Sequence, residues 1–144
     1  MLIIDDSPVM CRFLEIFFST KYTVKVCKDT LAALELLETG FEPDAIVTDL
    51  EMPGLNGVPF IQAIRGFLPY TPLFVVSGLN ESKFRLAALQ AGADDFVPKP
   101  FHPAELDIRV EKAIAQKTVG VSAETSTFNY ALSWLPSLLS GSAN

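Results

Sequence analysis

Five side chains in this sequence have types and positions suited to handling a phosphoryl group: Asp5, Asp6, Asp49, Ser77 and Lys99. A carboxylate can attack phosphorus as a nucleophile. Two neighbouring carboxylates repel, and one is driven to protonate unless a cation joins them. A hard divalent cation resolves the conflict, and magnesium suits it because it takes a few carboxylates and keeps several waters. A metal ion and a lysine neutralise charge on the equatorial oxygens of a phosphoryl group in transfer, and a hydroxyl adds one hydrogen bond. Taken singly, each aspartate could be a turn or cap residue and Lys99 a solvated surface lysine. Their convergence on one point is what marks a site.

That convergence depends on the elements that carry them. Leu2-Ile3-Ile4, Tyr22 to Val26, Ala45-Ile46-Val47, Leu73 to Val76 and Phe96-Val97 read as strands. Between them lie helical stretches. Ser7 and Pro8 open the first as cap and first-turn residue, with apolar Val9, Met10, Phe13, Leu14 and Phe17 at helical spacing. Thr30 to Leu37 is the second, closed by Gly40, and Val58 to Phe67 the third. Glu81 to Ala91, ended by Gly92, and Pro103 to Gln116 complete the set.

Strict alternation of strand and helix predicts an α/β fold. Its five-stranded parallel sheet is doubly wound by right-handed crossovers, with five helices on both faces. In such a sheet all strands end at one edge, where ligands bind. Asp5 and Asp6 follow the first strand, Asp49 the third, Ser77 the fourth and Lys99 the fifth. If the strand order is 2-1-3-4-5, the first and third strands lie about 4.8 Å apart, and Asp6 and Asp49 become neighbours.

With these residues in place, the chain resembles a receiver domain of a two-component response regulator. The resemblance rests on the Asp5-Asp6-Ser7 turn, the segment DLEMPGLNG from Asp49 to Gly57, Ser77-Gly78, and FVPKPF from Phe96 to Phe101. It runs from Met1 to about Lys117. It implies the flavodoxin-like order 2-1-3-4-5, shared with the chemotaxis regulator. It also implies that Asp49 is the phosphoacceptor, and that Asp6, Asp49 and the Glu51 backbone carbonyl bind magnesium, with Asp5 acting through water. Manganese is an alternative ion. Lys99 would contact the Asp49 carboxylate and then the phosphoryl group, and its bond to Pro100 would be cis. Ser77 would be drawn toward the phosphoryl group, and the Phe96 ring would rotate into the space left, reshaping the face of the fourth helix, fifth strand and fifth helix. Phe96 lacks the hydroxyl of the tyrosine often found there.

The implied partners are a histidine kinase or histidine phosphotransfer protein as donor, and a downstream effector protein or an output domain missing from the chain. A second copy of the chain is a further implied partner. The domain would regulate rather than act as an enzyme on other substrates, in the cytoplasm of a bacterium. Two other classes compete. A haloacid-dehalogenase-type phosphatase also uses an aspartate nucleophile with magnesium. That motif has Asp where Glu51 stands, however, and the chain lacks a substrate cap. A degenerate receiver acting only as a binding module is disfavoured by the intact Asp5, Asp6, Asp49, Ser77 and Lys99.

Composition narrows the rest. The net charge of -6 argues against a nucleic-acid partner, which needs a basic patch. No signal peptide or bilayer-length apolar run is present. Cys11 and Cys27 lack metal-site or disulfide-framework spacing and read as buried, reduced thiols. His102, the one histidine, reads as a surface residue. Residues 118–144 are expected to form a linker-like stretch and then an apolar tail with Trp134, Leu132, Leu135, Leu138 and Leu139.

Overall fold

The computed structural model describes residues 1–54, 57–79 and 81–118. Five strands, β1 (Leu2–Ile4), β2 (Lys25–Cys27), β3 (Ile46–Thr48), β4 (Leu73–Ser77) and β5 (Asp95–Pro98), alternate with helices. These are α1 (Pro8–Phe18), α2 (Thr30–Glu38), α3 (Gly57–Phe67) and α4 (Ser82–Ala91). A fifth helix, α5, begins at residue 103. Met1–Ile114 is one compact unit. Of the second, Ala115–Asn144, only 115–118 are described, and they are helical. The expected apolar tail lies outside the described residues. Among those residues no helix is long and apolar enough to cross a membrane.

All strand pairs are parallel, in the order β2-β1-β3-β4-β5. Alternation along each strand divides the core in two. Leu2, Ile4, Ile46, Leu73, Val75 and Phe96 face one way and pack with Ala33 and Leu37 of α2, Phe60, Ile61 and Ile64 of α3, and Ala88 of α4. Ile3, Val47, Phe74, Val76 and Val97 face the other way, toward Leu14 and Phe18 of α1 and Leu106 and Val110 of α5. Burial on both faces is why β1, β3 and β4 read as largely apolar runs.

Two expectations need correction. β2 is Lys25–Cys27, not Tyr22 to Val26. The chain is still leaving α1 at Tyr22, whose N–H donates to Phe18 O at 2.9 Å, and pairing starts where Lys25 N–H reaches Met1 O at 2.9 Å. The core face of α1 is Cys11, Leu14 and Phe18, while Val9 is 80% exposed and Ile16 58%. Apolar residues surround so much of this helix that spacing alone could not choose a face.

The sheet is pinned at the end remote from Asp49 by Arg65, a residue without a motif to mark it. Its Nε donates to Gly92 O at 2.8 Å, Nη1 to Thr71 O at 2.6 Å, and Nη2 to Asp94 Oδ2 at 2.9 Å. Asp94 Oδ2 also accepts from Leu73 N–H at 2.7 Å. One guanidinium thus ties the end of α3 to the starts of β4 and β5. Gly92 (φ +120°) has no Cβ to obstruct it; one would stand 3.1 Å from Arg65 Cγ.

The inward face of α1 sets a stability contrast. Leu14→Ala should cost about 2–5 kcal/mol, because it opens a cavity under the sheet. Val9→Ala, at a solvent-facing position, should change stability by less than about 0.5 kcal/mol. Urea unfolding of the two variants reads this directly, and equal losses would place the α1 core face elsewhere.

Candidate functional site

The hydrogen-bond ladder runs past the strand ends and fixes the first two acids. Asp5 N–H donates to Cys27 O at 3.2 Å, and Asp49 N–H donates to Ile4 O at 2.9 Å. Asp5 and Asp49 are therefore held side by side on adjacent strands, both buried. Asp6, one residue further on, is exposed. Asp5, Asp6 and Asp49 each offer an oxygen within 4.8 Å of the others.

Lys99 enters from the end of β5. Its N–H donates to Ser77 O at 2.9 Å, which extends the β4–β5 ladder. Its Nζ donates to Asp49 Oδ2 at 3.1 Å and to Asp5 Oδ2 at 3.2 Å. Each carboxylate has a further donor. Asp5 Oδ1 accepts from Ser7 N–H at 2.8 Å, and Asp49 Oδ1 from Glu51 N–H at 3.1 Å. Burial acts to lower the Lys99 pKa, but the Asp49 and Asp5 carboxylates outweigh it and hold the ammonium above its ordinary value of 10.5. The Lys99–Pro100 peptide bond is cis. Beside Lys99 lies a pocket of about 340 Å³ lined by Met10, Phe13, Pro100 and Phe101.

The other expected residues sit around this cluster without all joining it. Ser77 is fully buried at the end of β4, and its Oγ accepts from Leu79 N–H at 3.1 Å, leaving its own proton free to donate. Among the described residues no hydrogen bond joins that hydroxyl to Asp49 or to the Lys99 ammonium. Phe96 is buried opposite Val75. Glu51 is exposed, and its Oε2 lies 3.4 Å from where a Cβ on Gly78 would stand.

Three features escaped the sequence reading. Asp5 is in direct contact with Lys99, an arrangement that spacing along the chain does not reveal. Cys11 Sγ donates to Asp5 O at 3.0 Å, and burial first, then the Asp5 charge, pushes this thiol's pKa up. His102 is exposed but accepts through Nδ1 from Ala104 N–H at 3.2 Å, capping α5 just before Pro103. Histidine is not among the usual cap residues, so only its place before a first-turn proline hinted at this.

Chemically, three acids with one ammonium leave a negative, partly buried cleft. The oxygen donor set suits a hard divalent cation rather than a soft metal. Lys99 brings a pH dependence to the cleft, because its pKa is raised in the folded chain. A lysine whose folded-state pKa is raised contributes its stability fully below the unfolded value, and loses it as pH climbs through the folded one. The Lys99→Met variant should be less stable than the parent chain at neutral pH, with the difference shrinking only above about pH 10.5. Chemical unfolding across that range checks it; a gap unchanged into the alkaline range would mean that Lys99 stabilises by packing alone.

Comparison with known proteins agrees with this fold. The response regulator receiver domain family matches residues 1–111. The transcriptional regulatory protein KdpE of Mycobacterium tuberculosis is 32% identical over 124 residues, which cover 86% of this chain and 54% of KdpE. The sensor histidine kinase TmoS of Ectopseudomonas mendocina is 34% identical over 83% of this chain, but over only 12% of its own length. The chain thus spans about half the length of KdpE and far less of TmoS. Among solved structures, the Francisella response regulator 1452 receiver domain superposes with a TM-score of 0.74 and 31% identity, covering 80% of this chain and 95% of that one. The receiver domain of sensor histidine kinase PA1611 from Pseudomonas aeruginosa PAO1 was solved with a magnesium ion in its active site cleft. It gives a TM-score of 0.71 and 28% identity, covering 79% of this chain and 95% of that one.

Proposed function

The chain belongs to the response regulator receiver domain family, and from that premise we propose that it is a phosphorylation-operated switch with Asp49 as its phosphoacceptor. The observation that carries this reading is the single Lys99 ammonium shared between Asp49 and Asp5 at the carboxyl edge of the sheet.

In the proposed reaction an Asp49 carboxylate oxygen attacks the phosphorus of a phosphohistidine. The P–N bond breaks, the imidazole keeps the electron pair, and an acyl phosphate forms on Asp49. Lys99 is already within hydrogen-bond distance of Asp49 Oδ2, so its ammonium can pass to the incoming phosphoryl oxygens without leaving the cleft. Magnesium, or manganese in its place, would be held by Asp6, Asp49 and the Glu51 carbonyl, with Asp5 through water, and would supply charge neutralisation on those oxygens. The free proton of Ser77 is the donor that would read the new group. Its movement would give the Phe96 ring room to turn, a shift between two populations of the domain.

The donor we propose is a histidine kinase or histidine phosphotransfer protein. The output we propose is a downstream effector protein or an output domain. A second copy of the chain is the remaining proposed partner. The proposed domain runs to about Lys117 and catalyses only its own phosphorylation and dephosphorylation.

Incubation with magnesium and a small acyl-phosphate donor should add one phosphoryl group. The adduct should be stable in acid, labile in base and mapped to Asp49 by mass spectrometry. Asp49→Asn should abolish it, and chelation of the metal should slow it by orders of magnitude. No modification in the parent chain would leave a pure binding module as the reading. Steady turnover of varied phosphate esters would instead indicate a phosphatase.

A further inference from the structure

We propose that Cys11 is a positioning residue for the acidic cleft, acting through the main chain of Asp5. The inference rests on the magnesium-dependent reading of the cleft given above.

Asp5 is the first residue beyond β1, and its main chain is held from both sides. Its N–H donates to Cys27 O at 3.2 Å, and its carbonyl accepts the Cys11 thiol at 3.0 Å. Cys11 is 4% exposed and Asp5 3%, so water is a poor substitute for that thiol. A buried carbonyl without a donor is destabilised and shifts to find one. Here a shift has a chemical consequence. The side chain on the same residue contacts Lys99 through Oδ2, and Lys99 in turn contacts Asp49. Its Oδ1 is fixed by Ser7 N–H at 2.8 Å, in the turn that Cys11 closes from the first turns of α1. Asp6 leaves that same turn, and all three acids lie within 4.8 Å of one another. A thiol on α1 thus sets where two of the three carboxylates stand, though it touches neither. Groups that orient metal-ligating residues in this way alter affinity without contacting the metal.

Three variants separate the hydrogen bond from the volume. Cys11→Ser keeps a donor, Cys11→Ala removes it, and Cys11→Val fills the space without one. Magnesium binding by calorimetry on the full chain is the readout, with thermal unfolding alongside. The Ala and Val variants should bind magnesium about tenfold more weakly than the parent, and Ser within about twofold of it. If Ala does not fold, Val carries the comparison. Affinity in folded Val equal to the parent overturns the inference, as does a Ser variant as weak as Val. A parent chain that binds no magnesium overturns the metal reading itself and the inference with it. Phosphorylation of Asp49 in the parent, read separately, shows which of the two has failed.

Discussion

Negative charges buried at contact distance must find a cation, and Lys99 is where this structure meets that demand. Asp5 and Asp49 are each about nineteen-twentieths buried, and they share one ammonium. Removing it would leave two desolvated carboxylates facing each other, a far larger penalty than the loss of a surface ion pair. The arrangement also leaves the cleft with more acid than base. Asp6 is exposed and has no part in the lysine contact, so the unmet charge faces solvent, where a small cation can reach it. The strained electrostatics and the proposed chemistry are therefore one property seen from two sides.

The framework that makes this possible is the parallel sheet. Parallel pairing sends every strand end to the same edge, and the ladder extends one residue past β1, β3 and β5 to seat Asp5, Asp49 and Lys99. Those bonds fix the main chain at the acids themselves, so little freedom is left for the side chains to separate. At the opposite end Arg65 holds β4 and β5 in register through Thr71, Gly92 and Asp94. With both ends tied, Asp5, Asp49 and Lys99 already stand together at the sheet edge.

What the sequence revealed follows the same division. The strands β1, β3 and β4 were legible because their apolar runs are buried on both faces, whereas the order β2-β1-β3-β4-β5 followed from the family resemblance and not from the runs themselves. The proposed roles of Asp49, Lys99 and Ser77 came from their places after the strands and from the motif. The inner face of α1 was not legible, since Val9, Phe13 and Ile16 are as apolar as the residues that are buried. β2 was read too early because Tyr22 and Val24 alternate like a strand while the chain is still turning out of α1. The roles of Arg65 and Cys11 depend largely on main-chain atoms of other segments, and that of His102 on a local main-chain N–H, and main-chain atoms differ little from residue to residue. Glu51 and Asp6 sit between these cases: motif position names them, while their proposed part in holding an ion depends on how the loops carry them.

The remaining question is how a change at Asp49 would be felt elsewhere, and β5 is the element that connects the two places. Lys99 stands just past its carboxyl end, bonded to Ser77 through the main chain and to Asp49 through the side chain. At its amino end Asp95 accepts from Phe96 N–H at 2.8 Å through one oxygen and from Arg109 Nη1 at 2.8 Å through the other. Arg109 also binds Glu105 at 2.8 Å, one turn back along α5. Four residues of strand span only about 13 Å. A displaced Lys99 and a displaced α5 are thus separated by one short, hydrogen-bonded segment whose large buried side chain is Phe96. A packed core resists continuous deformation, so a segment this short transmits a change only if a side chain along it has two discrete places to sit. In the proposed switch Phe96 is that side chain: it stands on β5 between Asp95, which Arg109 holds, and Lys99, which holds Asp49.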